Sequence, residues 1–215
     1  MKATIIPVTE FAQNCTLIWC EETMKGAVID PGGDIPNIMA TIDQHEIAIE
    51  KIFITHGHID HAGGAAELAE QLSCPIEGPH KEDTFLVTEL EQQGAQFGLT
   101  ELRNFEPDRW LEQGDMVSFG NITLDVIHCP GHTPGHVVFY HQGENVAIVG
   151  DVLFQGSIGR TDFPRGDHPT LIRSIKERLW PLGNDVTFIP GHGPQSTFGI
   201  ERQTNPFVGD HAIQR

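Results

Sequence analysis

Apolar residues in this chain come in short runs, and most runs stop at a glycine, a proline or an aspartate. Residues 2–8, 15–20 and 26–30 read as strands, bounded by turn residues. The third ends in Asp30-Pro31-Gly32-Gly33, a turn that leaves a carboxylate at the strand tip. Residues 34–47 fit a helix, with Asp34 as its N-cap and Pro36 in its first turn. A strand over 51–55 follows, then an alanine-rich helix over 62–72 in which Leu68 and Leu72 stand four apart. A short strand is expected at 75–77. The pattern then weakens across 80–110, where 82–93 has a helical period and a loop with Gly94, Gly98 and Pro107 comes after it. Residues 116–119 and 122–128 predict a hairpin about Gly120-Asn121, and 136–141 with 146–150 predict another about Gly143. A helix over 170–179, a strand over 186–189 and a short helix over 199–203 complete the pattern. Groups of strands interrupted by helices predict an α+β fold, with two sheets back to back and helices on the outer faces.

Composition narrows this picture. At 215 residues and 39% hydrophobic content, the chain can bury a sizeable core without staples. It has no internal repeat, linker or low-complexity tract, so residues 1–215 read as a single domain. It has no run of 18 apolar residues and no leader-like apolar start, so we expect no membrane span and a cytoplasmic location. Lys and Arg number 13 against 30 Asp and Glu, for a net charge of −17 with His neutral. That balance argues against nucleic acid as a partner, because phosphate backbones call for a basic stripe. The four cysteines, Cys15, Cys20, Cys74 and Cys129, form no C-x-x-C pair and read as reduced thiols. Cys129 lies three residues before His132 but reads as a packing residue.

The chemistry concentrates in Thr55-His56-Gly57-His58-Ile59-Asp60-His61, which puts three imidazoles and a carboxylate into six positions directly after an apolar strand. Such a loop suits Zn2+ or another borderline first-row metal. Three later segments repeat the grammar of an apolar run ending in a turn with a ligand-type residue. They are Ile127-His128-Cys129-Pro130-Gly131-His132-Thr133-Pro134-Gly135-His136, Ile148-Val149-Gly150-Asp151, and Phe188-Ile189-Pro190-Gly191-His192-Gly193. Rigid strand ends suit a metal site because they hold ligand geometry. Spacing alone makes these residues candidate ligands without sorting them into sites. His136 reads as strand packing or support rather than a ligand, and His45, His80, His128, His141, His168 and His211 lack a comparable context.

In this order the segments resemble the metallo-β-lactamase-fold hydrolases over nearly the whole chain, from Asp30 to His192. The resemblance implies a four-layer αββα sandwich holding two divalent metal ions, with Zn2+ expected and Fe or Mn tolerated at the second site. By it, His56, His58 and His132 hold the first ion, Asp60, His61 and His192 the second, and Asp151 bridges both. Asp30 is then either a support that orients a ligand histidine or a plain turn residue. Two such ions can generate a nucleophilic hydroxide and polarise a carbonyl.

Gly150-Asp151-Val152-Leu153-Phe154, then Ser157-Ile158-Gly159-Arg160-Thr161-Asp162-Phe163-Pro164, resembles the glyoxalase II-like branch and its relatives the persulfide dioxygenases. Gly191 to Thr197, with Glu201 and Asn205-Pro206-Phe207, is similar to the short bacterial members of that branch. The implied function is hydrolysis of a small-molecule thioester of the S-D-lactoylglutathione kind by a metal-held hydroxide, with Asp60 orienting the nucleophile or carrying its proton. The alternatives are a mono-iron persulfide dioxygenase or another hydrolase of the fold. The tyrosine that glyoxalase II carries after the last of these histidines is Gly193 here, and only 23 residues (215 − 192) follow His192. No separate C-terminal glutathione-binding helical domain is therefore expected. Any contact to an anionic substrate must come from residues such as Arg160, Arg165 or Arg202, of which Arg160 stands nearest Asp151 in sequence; its competing role is an ion pair with Asp162.

Overall fold

The computed structural model of the chain describes residues 1–99 and 102–212. Residues 100 and 101, in the loop expected after residue 93, and 213–215 lie outside the described residues.

The first half builds a five-stranded sheet in the order β1-β2-β3-β4-β5. Its strands are β1 (Lys2–Val8), β2 (Gln13–Trp19), β3 (Lys25–Ile29), β4 (Ala48–Phe53) and β5 (Ile76–Glu77). Helix α1 (Ile35–His45) carries the chain from β3 to the parallel β4, and α2 (Ile59–Ala62) and α3 (Ala65–Leu72) carry it on to β5. After β5 come a 3-10 turn at Lys81–Asp83, α4 (Thr84–Val87) and α5 (Leu90–Gln96).

The second half builds a six-stranded sheet from β6 (Met116–Phe119), β7 (Ile122–His128), β8 (Val137–His141), β9 (Val146–Gly150), β12 (Thr187–Pro190) and β13 (Ser196–Thr197). A two-stranded ribbon, β10 (Leu153–Phe154) with β11 (Ser157–Ile158), follows β9. Helix α6 (His168–Ser174) links it to β12 through a wide turn at Ile175–Leu179, and α7 (Phe198–Thr204) closes the half.

Side chains along a strand alternate between faces, and here the alternation sorts the core into layers. Ile52 and Ile54 join Ile38 and Leu68 under the first-half helices, whereas Phe53 between them faces the other sheet. In β9, Ala147 and Val149 pack with Leu171 and Phe198 under α6 and α7, whereas Ile148 turns inward. The layer between the sheets contains Ile18, Ile29, Phe53, Phe119, Phe139 and Ile189. Helix, sheet, sheet, helix is the four-layer α+β sandwich expected from the sequence.

The structure corrects several local readings. The helix expected over 62–72 is two, broken at Gly63-Gly64, where the Gly64 amide donates to Pro31 O at 2.9 Å. A Cβ at Gly64 would lie 2.6 Å from that oxygen, so the close approach excludes any other residue there. The helix expected over 82–93 is likewise split, and at the break Leu86 O accepts from the Glu89 amide at 3.1 Å and from the Gln93 side chain at 2.8 Å. Asp34 stands at the N-cap of α1 without capping it, because its carboxylate instead accepts from the Thr9 amide at 2.6 Å. Asp167 does cap α6, accepting from the Thr170 amide at 2.9 Å. The strands β10, β11 and β13 have two residues each, too short to show alternation in a sequence.

Strands β7, β9 and β12 run the same way, since β8 is antiparallel to β7 and β9 while β12 is parallel to β9. Their C-terminal ends, with those of β3 and β4, open onto one edge of the sandwich. The candidate site lies there.

Candidate metal centre

The loop after β4 is pinned at its base. Asp30, at the tip of β3, accepts from the Thr55 amide at 2.7 Å and from Thr55 Oγ1 at 2.6 Å. From this base the loop sends out His56, His58, Asp60 and His61, while the loops after β7, β9 and β12 bring in His132, Asp151 and His192.

The donor atoms form two groups. In the first, His56 Nε2 and His132 Nε2 each lie 3.0 Å from His58 Nδ1. In the second, Asp60 Oδ2 lies 3.1 Å from His192 Nε2 and 3.8 Å from His61 Nε2. Asp151 reaches both: Oδ1 is 3.3 Å from His61 Nε2, and Oδ2 is 3.7 Å from His132 Nε2 and 3.8 Å from His192 Nε2. The structure thus gathers all seven residues singled out as ligand candidates. In a further cluster of Asp30, His56 and His61, Asp30 Oδ2 accepts from His61 Nδ1 at 2.9 Å.

Hydrogen bonding on the far side of each ring decides which nitrogen is bare. His132 Nδ1 faces Arg160 O at 2.7 Å and His192 Nδ1 faces Phe11 O at 3.2 Å. A carbonyl only accepts, so both Nδ1 atoms carry a proton; His132 Nε2 is then a lone pair, while His192 Nε2 shares a proton with Asp60 until a cation replaces it. His61 Nδ1 donates to Asp30 by the same logic. Thr55 Oγ1 spends its proton on Asp30, so it accepts from His56 Nδ1 at 3.0 Å, and His56 Nε2 is bare too. His58 Nδ1 therefore faces two lone pairs and can offer at most one proton between them. In the second group, His61 Nε2 and Asp151 Oδ1 are buried without a hydrogen-bond partner. Convergent lone pairs and carboxylates, repulsive among themselves, form the donor set a cation relieves. Nitrogens about 2.0–2.1 Å from a tetrahedral ion would lie about 3.3 Å apart, close to the spacing found in the first group.

The electrostatics divide along the same line. Burial pushes His56 well below the usual imidazole range, and the neighbouring His61 and His136 add to it. Burial, then His132, brings His58 down to about 3, and burial lowers His132 despite Asp151. These imidazoles are neutral and ready to ligate. In the second group burial alone would lower His61, but Asp151 and Asp60 outweigh it and its pKa is raised. His192 is raised as well, burial being outweighed by its hydrogen bond to Asp60 and by Asp151. Burial would raise Asp151, yet His61 holds it well below the ordinary carboxylate range. Without a metal this group keeps protons between rings and carboxylates, and a cation that binds there displaces them.

His136 supports the site from beneath. Its ring stacks on His56 with centroids 4.6 Å apart, and its Nε2 accepts the Asp151 amide at 3.0 Å. His80 and His128 stack on each other at 4.2 Å and belong to none of the three clusters. Arg160 turns to Asp162, at 2.7 and 2.6 Å, and lies over the Phe163 ring at 4.1 Å.

Three features had no sequence signal. Gln13 is buried with its amide 3.4 Å from His61 Nδ1, but nothing in the first strands marks it. Phe11 supplies the carbonyl behind His192, and Phe163, which the sequence offered only as part of a motif, stands edge-on to His58 at 4.9 Å. Asp83 is the third; it lies in the stretch with the weakest pattern.

A chain that brings four strand-end loops to one edge of an αββα sandwich, with three imidazoles in one group and a shared aspartate, belongs to the metallo-β-lactamase superfamily, whose sequence model matches residues 8–192. It is a metallo-hydrolase of that superfamily, and its His and Asp clusters suit a dinuclear divalent-metal centre. Among its relatives is hydroxyacylglutathione hydrolase GloC of Haemophilus influenzae, 45% identical over 97% of this chain and 98% of that protein. Among solved structures it is similar to the BLEG-1 B3 metallo-beta-lactamase, with a TM-score of 0.88 and 32% identity over 96% of this chain and 99% of that one. TTHA1623 in a di-iron-bound form superposes with a TM-score of 0.86 and 36% identity, covering 95% of this chain and 99% of that one. Among the described residues no helix is long and apolar enough to cross a membrane.

Proposed function

We propose that this protein hydrolyses a glutathione thioester of the S-D-lactoylglutathione kind. His56, His58 and His132 would hold one ion, Asp60, His61 and His192 the other, and Asp151 would touch both. The observation that carries the reading is the position of Asp151, whose two oxygens reach His61 in one direction and His132 and His192 in the other. The likeness to GloC points to the substrate. Zinc suits the all-imidazole group, and the carboxylate-richer group tolerates iron or manganese. Four free thiols fit a reducing cytoplasm.

Bound there, the cations supply two things: a water made acidic enough to ionise near neutral pH, and positive charge for a polarised carbonyl. The chain does the rest. Asp60 Oδ2, already beside His192, is placed to orient the attacking water and take its proton. Asp30, Thr55 Oγ1 and the carbonyls of Arg160 and Phe11 hold four of the rings in one tautomer, so no ring must reorient during turnover. Phe163 walls the first group and limits solvent there. The leaving thiol, with a pKa near about 8.5, departs as thiolate with little acid help.

The test is ultraviolet loss of the S-D-lactoylglutathione thioester with purified protein, its chelator-stripped form and metal add-back. Turnover that disappears on stripping and returns with metal is the expected result. No turnover at full metal occupancy, with oxygen uptake on a thiol persulfide instead, would overturn it.

A further inference from the structure

Asp83 carries a buried carboxylate that contacts none of the seven donor residues yet joins the two loops that form the first group. It is the last residue of the 3-10 turn at Lys81–Asp83, directly before α4, with no solvent exposure. Its Oδ2 accepts from the Gly57 amide at 3.1 Å and from Thr133 Oγ1 at 2.7 Å, and its Oδ1 accepts from the Gly135 amide at 2.6 Å. Gly57 is the residue between His56 and His58, and Thr133 directly follows His132. One loop leaves β4 of the first sheet and the other leaves β7 of the second, so the carboxylate ties the sheets together where the donor nitrogens must meet.

The surroundings are built for this contact. A Cβ at Gly135 would sit 2.6 Å from Asp83 Cγ, and one at Gly57 would sit 2.6 Å from Leu86 Cβ in α4. Both glycines let backbone close onto the turn that carries Asp83. The turn itself is held by His80, whose amide donates to Gly135 O at 3.0 Å. Burial raises the Asp83 carboxyl to about 6, against the three donors. A buried acid of this kind persists in the fold because it satisfies groups that would otherwise be orphaned: without it, two buried backbone N–H groups lose their acceptor.

We propose that Asp83 is the positioning residue for the first metal: its carboxylate sets the distance between the His56–His58 loop and His132, and so the affinity of that site. The inference rests on the metal-site reading above and is independent of which thioester is cleaved.

The test is Asp83→Asn, which keeps the volume but turns one acceptor oxygen into an amide that confronts the N–H donors. Metal content is measured by plasma mass spectrometry after dialysis, and metal affinity by competition with a chromogenic chelator, on folded protein verified by circular dichroism. Metal content should fall from two ions per chain toward one, with affinity at the weakened site down about 10–100-fold, as for other groups that orient ligands. The activity that remains should show a lower kcat with KM little changed. Thr133→Val, which removes one of the three donors and no backbone contact, should shift chelator competition in the same direction by several-fold, and it decides the matter if the asparagine variant does not fold. Two ions with unchanged competition in either folded variant, even with a lower melting temperature, would reduce Asp83 to a structural role and overturn the proposal. Fewer than two ions in the wild-type protein would instead overturn the metal-site reading itself.

Discussion

Gly191 is the position where one added methyl group should do most damage to the site and least to the fold. A Cβ built there lies 2.2 Å from Asp151 Oδ1 and 2.5 Å from His61 Cε1. A relaxed carbon–oxygen contact is about 3.3 Å, so one partner must give way by about 1 Å. The backbone is poorly placed to move instead: Gly191 donates to Gly150 O at 2.8 Å and accepts from the Asn14 amide at 2.7 Å. Its φ is not among the positive ones, so alanine meets no φ strain; the severe conflicts are with the two side chains, and Gly150 C is close as well at 3.3 Å. His61 is held by Asp30, and Asp151 reaches donors of both groups. A displacement of about 1 Å at a reacting centre costs about a hundredfold in rate, equivalent to about 2.7 kcal/mol of transition-state stabilisation. Gly191→Ala should therefore fold with a normal circular dichroism spectrum and lose about a hundredfold in kcat/KM for S-D-lactoylglutathione. The assay is steady-state thioester loss alongside metal analysis. Two bound ions with kcat/KM within about threefold of wild type would show that the contact between Asp151 and Gly191, just after β12, does not constrain the site.

Other consequences are simpler to state. Asp60→Ala should lower kcat by about a hundredfold while KM moves less than about threefold, the pattern of a group needed in the transition state; unchanged kcat in steady-state assays would remove Asp60 from the mechanism. Stripping the metal with a chelator should lower the melting temperature by about 10 °C, since ligand at about a thousand times its Kd adds about 4 kcal/mol and a domain of this size shifts about 2–4 °C per kcal/mol. An unchanged scanning-calorimetry trace would mean the donors are content without a cation. Phe139→Ala, at a ring fully buried between the sheets and 5.3 Å from Phe53, should cost about 3–5 kcal/mol by urea unfolding. A loss under about 1 kcal/mol would place the central layer's stability elsewhere.

The site was readable in the sequence because it is built locally. Each donor follows the last residue of an apolar run by two to seven positions, and strand ends do not wander, so seven side chains could be named before their meeting was visible. Their division between two ions came from the resemblance to a known fold. What decides the chemistry within each group was not fully readable, because the ring orientation of His132 and His192 is fixed by acceptors remote in sequence. Phe11 O serves His192 across 181 positions, and Arg160 O serves His132 across 28. The broken helices failed for a related reason. The alanine-rich pattern after His61 has a good helical period, yet the approach of Pro31 O to Gly64 overrides it, and no window of sequence around Gly64 contains Pro31.

Arg160 and Asp83 show where sequence pattern stops being informative about charge. Arg160 drew notice because it is a cation beside a motif, but its guanidinium lies in a bidentate pair with Asp162 and is exposed, which leaves its charge locally balanced. Asp83 drew none, because one more carboxylate among 30 acidic residues carries no signal in a chain of net charge −17. In the structure the ranking reverses, for a reason of solvent. An exposed ion pair is screened and contributes little. A buried carboxylate must be matched by donors, and the donors available to Asp83 are the backbone and hydroxyl groups of the two loops that carry His56, His58 and His132. The most consequential charge outside the donor set is thus the one that composition hides, and it can be recognised only from which groups it leaves satisfied.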